Sequence, residues 1–276
     1  MLPRGRPLAF VLAAATAVGA FVLFRPGSGP TTAPAPARAA AASATASFAA
    51  QAAVLPQAPR PAFSVSRPVL LRHPRGVSRW APVVRRVVVR EVANARSSQI
   101  AELEPDTPEG TTNLVLVLGE TTRAGRLWVH VRLPILPNNR TGWVERNALG
   151  GYHFVHTRLV VNLAQLTATL FHDGKAIFQA PVGVGRTYWP TPSGEFYVRE
   201  KLTRFSSPFY GPLAFGTSAR SSVLTDWPDG GFIGIHGTNQ PELLPGRVSH
   251  GCIRMRNQDI LRLARLMPVG TPLTIV

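Results

Sequence analysis

The stretch Ser249-His250-Gly251-Cys252-Ile253-Arg254-Met255, with His236-Gly237-Thr238 upstream of it, decides how this 276-residue chain is read. Cys252 is the single cysteine, so no intramolecular disulfide can form. In an exported protein that thiol sits in an oxidising compartment, where a lone cysteine is a liability. A thiol framed by two His-Gly pairs is a candidate nucleophile. Cysteine attacks as the thiolate, and a neighbouring imidazole can take its proton. Two histidines compete for that role. His250 is two residues away and shares a face with Cys252 if the segment is extended; His236 lies sixteen positions upstream and reaches it only through the fold. Amides around Gly251 and Cys252 are placed to supply an oxyanion hole, and Ser249 is suited to hold a histidine tautomer. Two other readings stay open on spacing alone. One is an inert core cysteine between Gly251 and Ile253. The other is a zinc site made of His236, His250 and Cys252, although no H-x-x-x-H or C-x-x-C pair supports it.

On either side of this segment the pattern is that of strands. His153 to Leu163 and Leu166 to Phe171 are apolar runs, and Asp173-Gly174 between Phe171 and Ala176 predicts a two-residue hairpin turn. Strands are also expected over Ala176 to Val184, after Thr191-Pro192-Ser193-Gly194, over Ile233 to His236 and over Pro272 to Val276. Gly183-Val184-Gly185 lacks the third glycine and the helix of a dinucleotide fingerprint. Asn257 is the expected cap of a helix over Gln258 to Met267, with Ile260, Leu263, Ala264 and Met267 on one face. Residues 151–276 are therefore a β-rich unit with a short helix near the C-terminus.

Upstream, residues 63–150 read as a small β module. Val87 to Val89, Leu114 to Leu118 and the alternating Leu127 to Val131 are strand-like, and Asn138-Asn139-Arg140 is a turn feeding another strand. Residues 25–62 are dominated by Ala, Pro, Thr and Ser and read as a disordered linker, unable to bury enough apolar surface to offset ordering. Residues 1–24 place Arg4 and Arg6 before the uncharged run Leu8 to Phe24, a signal anchor or signal peptide. No Ala-x-Ala site follows Phe24 directly, which favours an uncleaved anchor and hence a membrane partner.

The net charge of +16 invites a nucleic-acid reading, and its placement argues against one. Residues 1–90 hold twelve arginines and no Asp or Glu, whereas residues 91–276 hold eighteen basic and fourteen acidic side chains. The excess sits in the stalk, where an anionic membrane or wall polymer is the fitting neighbour.

The paired His236-Gly237-Thr238 and Ser249 to Met255 segments resemble the signature of L,D-transpeptidases with a YkuD-type catalytic domain. Gly183-Val184-Gly185, Thr191 to Phe196 and Asn257…Asp259-Ile260 match further landmarks of that family. The stretch LWVHVRLP…NNRTGWVERNALG resembles the end of bacterial SH3-like domains that precede cell-wall enzymes. The resemblance implies a mainly β protein: N-terminal anchor and linker, SH3-like module, then catalytic domain. It implies peptidoglycan cross-linking without a cofactor or metal. Cys252 would attack the third-residue carbonyl of a tetrapeptide stem, the donor, and expel D-Ala; an amine on a neighbouring stem, the acceptor, would then take the acyl group in a 3→3 link. In this mapping His236 is the base, oriented by the Gly237 carbonyl. Ser249, His250 and Gly251 shape the nucleophile's turn and oxyanion site. Arg254, Tyr210 and Trp227 are candidates for substrate binding, with Trp189 a further candidate to line the cleft. An L,D-carboxypeptidase using the same acyl-enzyme, or a non-catalytic wall-binding protein, are the alternatives.

Overall fold

A computed structural model describes residues 76–203, 208–225 and 231–276. The expected anchor, the linker and Trp227 lie outside the described residues. No helix among the described residues is long and apolar enough to cross a membrane.

The chain is mainly β, as its alternating runs require. A first sheet is built from β1 (Ser78–Pro82), β2 (Val87–Arg90), β3 (Gln99–Leu103), β4 (Leu114–Arg123), β5 (Arg126–Arg132), β6 (Thr141–Glu145) and β7 (His153–Val155). Its strand order is β3-β2-β6-β5-β4-β1-β7. One face is closed by buried Val89, Val115, Val129, Val131 and Val144, β-branched side chains that suit a pleated, half-buried surface.

The second sheet takes β8 (Thr157–Asn162), β9 (Thr167–His172), β10 (Lys175–Pro181), β11 (Gly183–Gly185), β12 (Gly194–Leu202), β13 (Ala214–Arg220), β14 (Phe232–His236), β15 (Gly246–Ser249), β16 (Ile253–Arg254) and β17 (Pro272–Ile275), with α1 (Asn257–Leu266) before the last strand. The order is β10-β9-β8-β17-β12-β13-β14-β16-β11-β15. The hairpin predicted at Asp173-Gly174 joins β9 to β10, with φ of 48° and 79° at the two residues, both positive as its turn type needs. Helix α1 buries Ile260 and Leu263 in the core of this sheet, and Met267 joins them just past its end.

Two expectations are corrected, and one strand escaped the sequence pattern. The run His153 to Leu163 is not one strand: β7 pairs with β1 and β8 pairs with β9 and β17, so sheet membership changes at His156. Strand β13 went unread because its sequence, AFGTSAR, is small and polar. Its buried hydroxyls are satisfied within the sheet: Thr217 donates to the Ile233 carbonyl at 2.6 Å and Ser218 accepts from the Tyr197 N–H at 3.0 Å. Finally, Asn257 is the first residue of α1, not its cap. The cap position is Arg256, with no side-chain capping bond.

Candidate active site

Two short strands bring the pieces together. Strands β14 and β16 run parallel, pairing Ile235 with Ile253 and His236 with Arg254. His236 therefore ends one strand while Cys252 immediately precedes its neighbour. Gly234 lies between their side chains: a Cβ built on it would stand 3.8 Å from His236 Cδ2 and 3.9 Å from Cys252 Sγ. The Gly234 N–H donates to Sγ at 3.4 Å. Of the two histidines left open by spacing, His236 is placed here, its Cδ2 and Cys252 Sγ flanking the same Gly234.

The imidazole is held in one tautomer. His236 Nδ1 lies 2.6 Å from the Gly237 carbonyl oxygen. A carbonyl only accepts, so Nδ1 carries the proton and Nε2 keeps its lone pair. Tyr210 meets the ring edge-on, with centroids 4.7 Å apart at 74°. The Gly237-Thr238 turn is fixed in its turn by Asn257, whose Oδ1 accepts the Thr238 N–H at 2.9 Å. The sequence flagged Asn257 only as a cap, because nothing local in it shows that a distant loop supplies the donor.

Cys252 lies on a turn between β15 and β16. Gly251 adopts φ +119°, a conformation that L side chains avoid. Ser249 does not touch a histidine through any bond described for it. Its hydroxyl accepts the Gly251 N–H at 3.1 Å and donates to the Cys252 carbonyl at 2.6 Å, bracing the turn from within. The His250 ring lies against Trp189, centroids 4.3 Å apart.

These residues open on one cleft of about 410 Å³, lined by Cys252, His236, His250, Ser249, Arg254 and Tyr210 together with Phe209, Phe232, Ile233, Gln240 and Leu224 among others. That is room for a few peptide residues. Phe209, Phe232 and Leu224 give it apolar walls that the motif-based reading did not single out.

Electrostatics set the resting protonation. Burial lowers the His236 pKa to about 4, opposed by the Gly237 carbonyl and reinforced by the Arg254 charge. Burial pushes the Cys252 thiol up, while the Gly234 N–H and Arg254 act to lower it. The pair therefore rests as neutral thiol and neutral imidazole at neutral pH. His250 is also lowered, by desolvation and by Arg186 and Arg254. The Arg254 Nε is buried and without a hydrogen-bond partner among the described residues. Among those residues no three His, Cys, Asp or Glu side chains are grouped so as to hold a metal ion.

The model of the L,D-transpeptidase catalytic domain family, YkuD, matches residues 156–275, the span of the second sheet and the cleft. YqjB of Bacillus subtilis, which carries an L,D-transpeptidase name, is 34% identical over 125 residues, 42% of this chain and 69% of that protein. The chain belongs to the L,D-transpeptidase family. YkuD of Bacillus subtilis, named likewise, is 34% identical over 117 residues, and the match spans 42% of this chain and 64% of that relative. A solved L,D-transpeptidase from Enterococcus faecium is 25% identical, over 44% of this chain and 49% of that one, with a TM-score of 0.35. The first sheet lies outside the matched span, and nothing in these comparisons assigns it to SH3-like domains.

Proposed function

We propose that this protein is a cell-envelope L,D-transpeptidase that forms 3→3 cross-links through an acyl-enzyme on Cys252, with His236 as its base. The observation that carries this reading is the Nδ1-to-Gly237 bond, which leaves Nε2 free in the corner it shares with the only thiol. From neutral reactants, Nε2 takes the Sγ proton as sulfur bonds to the donor carbonyl carbon, and the carbonyl electron pair moves onto oxygen. Arg254 favours the developing thiolate and, by the same charge, makes His236 eager to give its proton back. The oxyanion collapses, the C–N bond breaks, and the departing D-Ala amine takes the proton from Nε2. The acceptor amine then loses a proton to Nε2 as it attacks the thioester, and the sulfur departs and is reprotonated.

In this reading Ser249 and Gly251 hold the nucleophile's turn and His250 forms part of the cleft wall. Tyr210 steadies the base, and the Arg254 guanidinium also offers a cationic partner to a carboxylate of the stem. An envelope location rests on the sequence of residues 1–62, whose anchor and spacer would hold the enzyme at the membrane.

Intact-mass measurement with a carbapenem, an acylating mimic of the donor, tests the nucleophile. The wild-type protein should gain one adduct and Cys252→Ala none; an adduct on the variant would remove Cys252 from the mechanism. Tetrapeptide stems then separate the outcomes. Dimer formation supports transpeptidation, and tripeptide without dimer replaces it with L,D-carboxypeptidation. Binding to sacculi with no turnover would leave a wall-binding protein.

A further inference from the structure

The turn that carries Cys252 is held from outside by one hydroxyl that the mechanism above does not use. Thr191 is 5% exposed and lies on the loop between β11 and β12. Its Oγ1 accepts the Gly185 N–H at 2.8 Å and donates its single proton to the Gly251 carbonyl at 2.7 Å. The loop reaches this position because residue 185 is glycine: a Cβ there would run into the backbone of Trp189 to Thr191. Gly185 itself belongs to β11, which pairs with β15 at Ser249. Thr191 thus ties the nucleophile's turn to the sheet edge beside it.

We propose that Thr191 is a positioning residue for acyl transfer, fixing the Gly251–Cys252 peptide so that the Cys252 N–H meets the developing oxyanion. In a trans peptide the C=O and the following N–H point in opposite directions. With the Gly251 carbonyl clamped to buried Thr191, the Cys252 N–H is turned away from Thr191, towards the cleft that Cys252 lines. Ser249 fixes the two flanking groups, the Gly251 N–H and the Cys252 carbonyl, so the peptide plane has no freedom to rotate. Such a donor costs no reorganisation when the carbonyl electron pair moves onto oxygen. The inference rests on Cys252 being the acylated nucleophile.

Two electrophiles separate positioning from general support. Iodoacetamide is displaced at an sp³ carbon, expels iodide and forms no oxyanion, whereas a carbapenem is attacked at its carbonyl. Cys252 is the sole thiol, so both reagents report on the same atom. Thr191→Val keeps the branched shape and removes the hydroxyl; Thr191→Ser keeps the hydroxyl. A misaligned donor should cost less than the roughly 10²–10³-fold of a deleted one, so Thr191→Val is expected to slow carbapenem acylation by about 10-fold or more. Its alkylation rate should stay within about twofold of wild type, and Thr191→Ser should keep both rates within about threefold, because only the oxyanion depends on the clamp. Equal losses in both reactions, or no loss in either, would overturn the proposal. If Thr191→Val does not fold, Thr191→Ala is read by the same ratio of rates. Failure of the underlying reading shows separately, as acylation that survives Cys252→Ala.

Discussion

At the scale of single residues, His236 makes the site legible as chemistry, and its burial has a measurable consequence. An unfolded histidine titrates near 6.5 and the folded His236 near about 4. Between those values the unfolded chain binds the extra proton and the folded chain does not, so stability from this group is complete above about 6.5 and is lost as pH falls towards 4. The loss amounts to about 3 kcal/mol. Urea unfolding from pH 7.5 to 4.5 should show this slope, and His236→Gln should flatten it. The same value places the acid limb of carbapenem acylation near about 4, since Nε2 must be unprotonated to accept the thiol proton. A limb near 6.5 would mean that the imidazole is more solvated than its position indicates. Both His-Gly pairs are plain in the sequence. The choice between them is not: only the pairing of β14 with β16 brings His236, sixteen residues away in sequence, beside the turn of Cys252.

Elements explain which expectations were readable. Runs such as Val87 to Val89 and Leu127 to Val131 form strands because alternation or branching fits one buried face. The Asp173-Gly174 turn was readable because its chemistry is local. Strand β1 was not: Arg79 and Pro82 interrupt it, and its pairing with β4 and β7 supplies the order. Helix α1 runs within one residue of the span its periodicity predicts, yet its first side chain, Asn257, does not cap it. Asn257 spends its Oδ1 on the Thr238 N–H, in a turn where Thr238 is 1% exposed. Asn257→Ala would strand that buried donor, and the expected cost is about 1–3 kcal/mol. Thermal or urea unfolding measures the loss, and acylation should slow with it because the Gly237 carbonyl belongs to the same turn. A variant as stable and as active as wild type would show that the turn stands without Asn257.

The whole described molecule is held together by a seam between the two sheets. Leu114 and Leu116 pack on buried Tyr197, whose hydroxyl donates to the Leu114 carbonyl at 3.1 Å. The adjacent Asn138 and Asn139 grip two strands: Asn138 bonds the backbone of Arg220 in both directions, and Asn139 accepts the Glu195 N–H. Thr107 and Thr111 donate to Glu200, and Glu109 approaches buried Arg199 at 3.7 Å. Arg199 in turn lies 4.1 Å from the ring centre of Phe232, a wall of the cleft. Removing Glu109 leaves a buried guanidinium with less compensation, so Glu109→Ala should lower stability by about 1–3 kcal/mol. Glu102, in a surface pair with Arg86, serves as the control, and its alanine variant should cost no more than about 1 kcal/mol. Equal effects in urea unfolding would show that the seam contributes no more than surface charge. The order of the second sheet makes one short strand its linchpin. Strand β17 stands between β8 and β12, joining the half that holds β8 to β10 to the half that holds the cleft. The sheet is therefore continuous only where residues 272–275 are in place. The two halves meet in the sheet only through four residues that line no part of the cleft, and a lesion confined to that strand would act on the site without touching it.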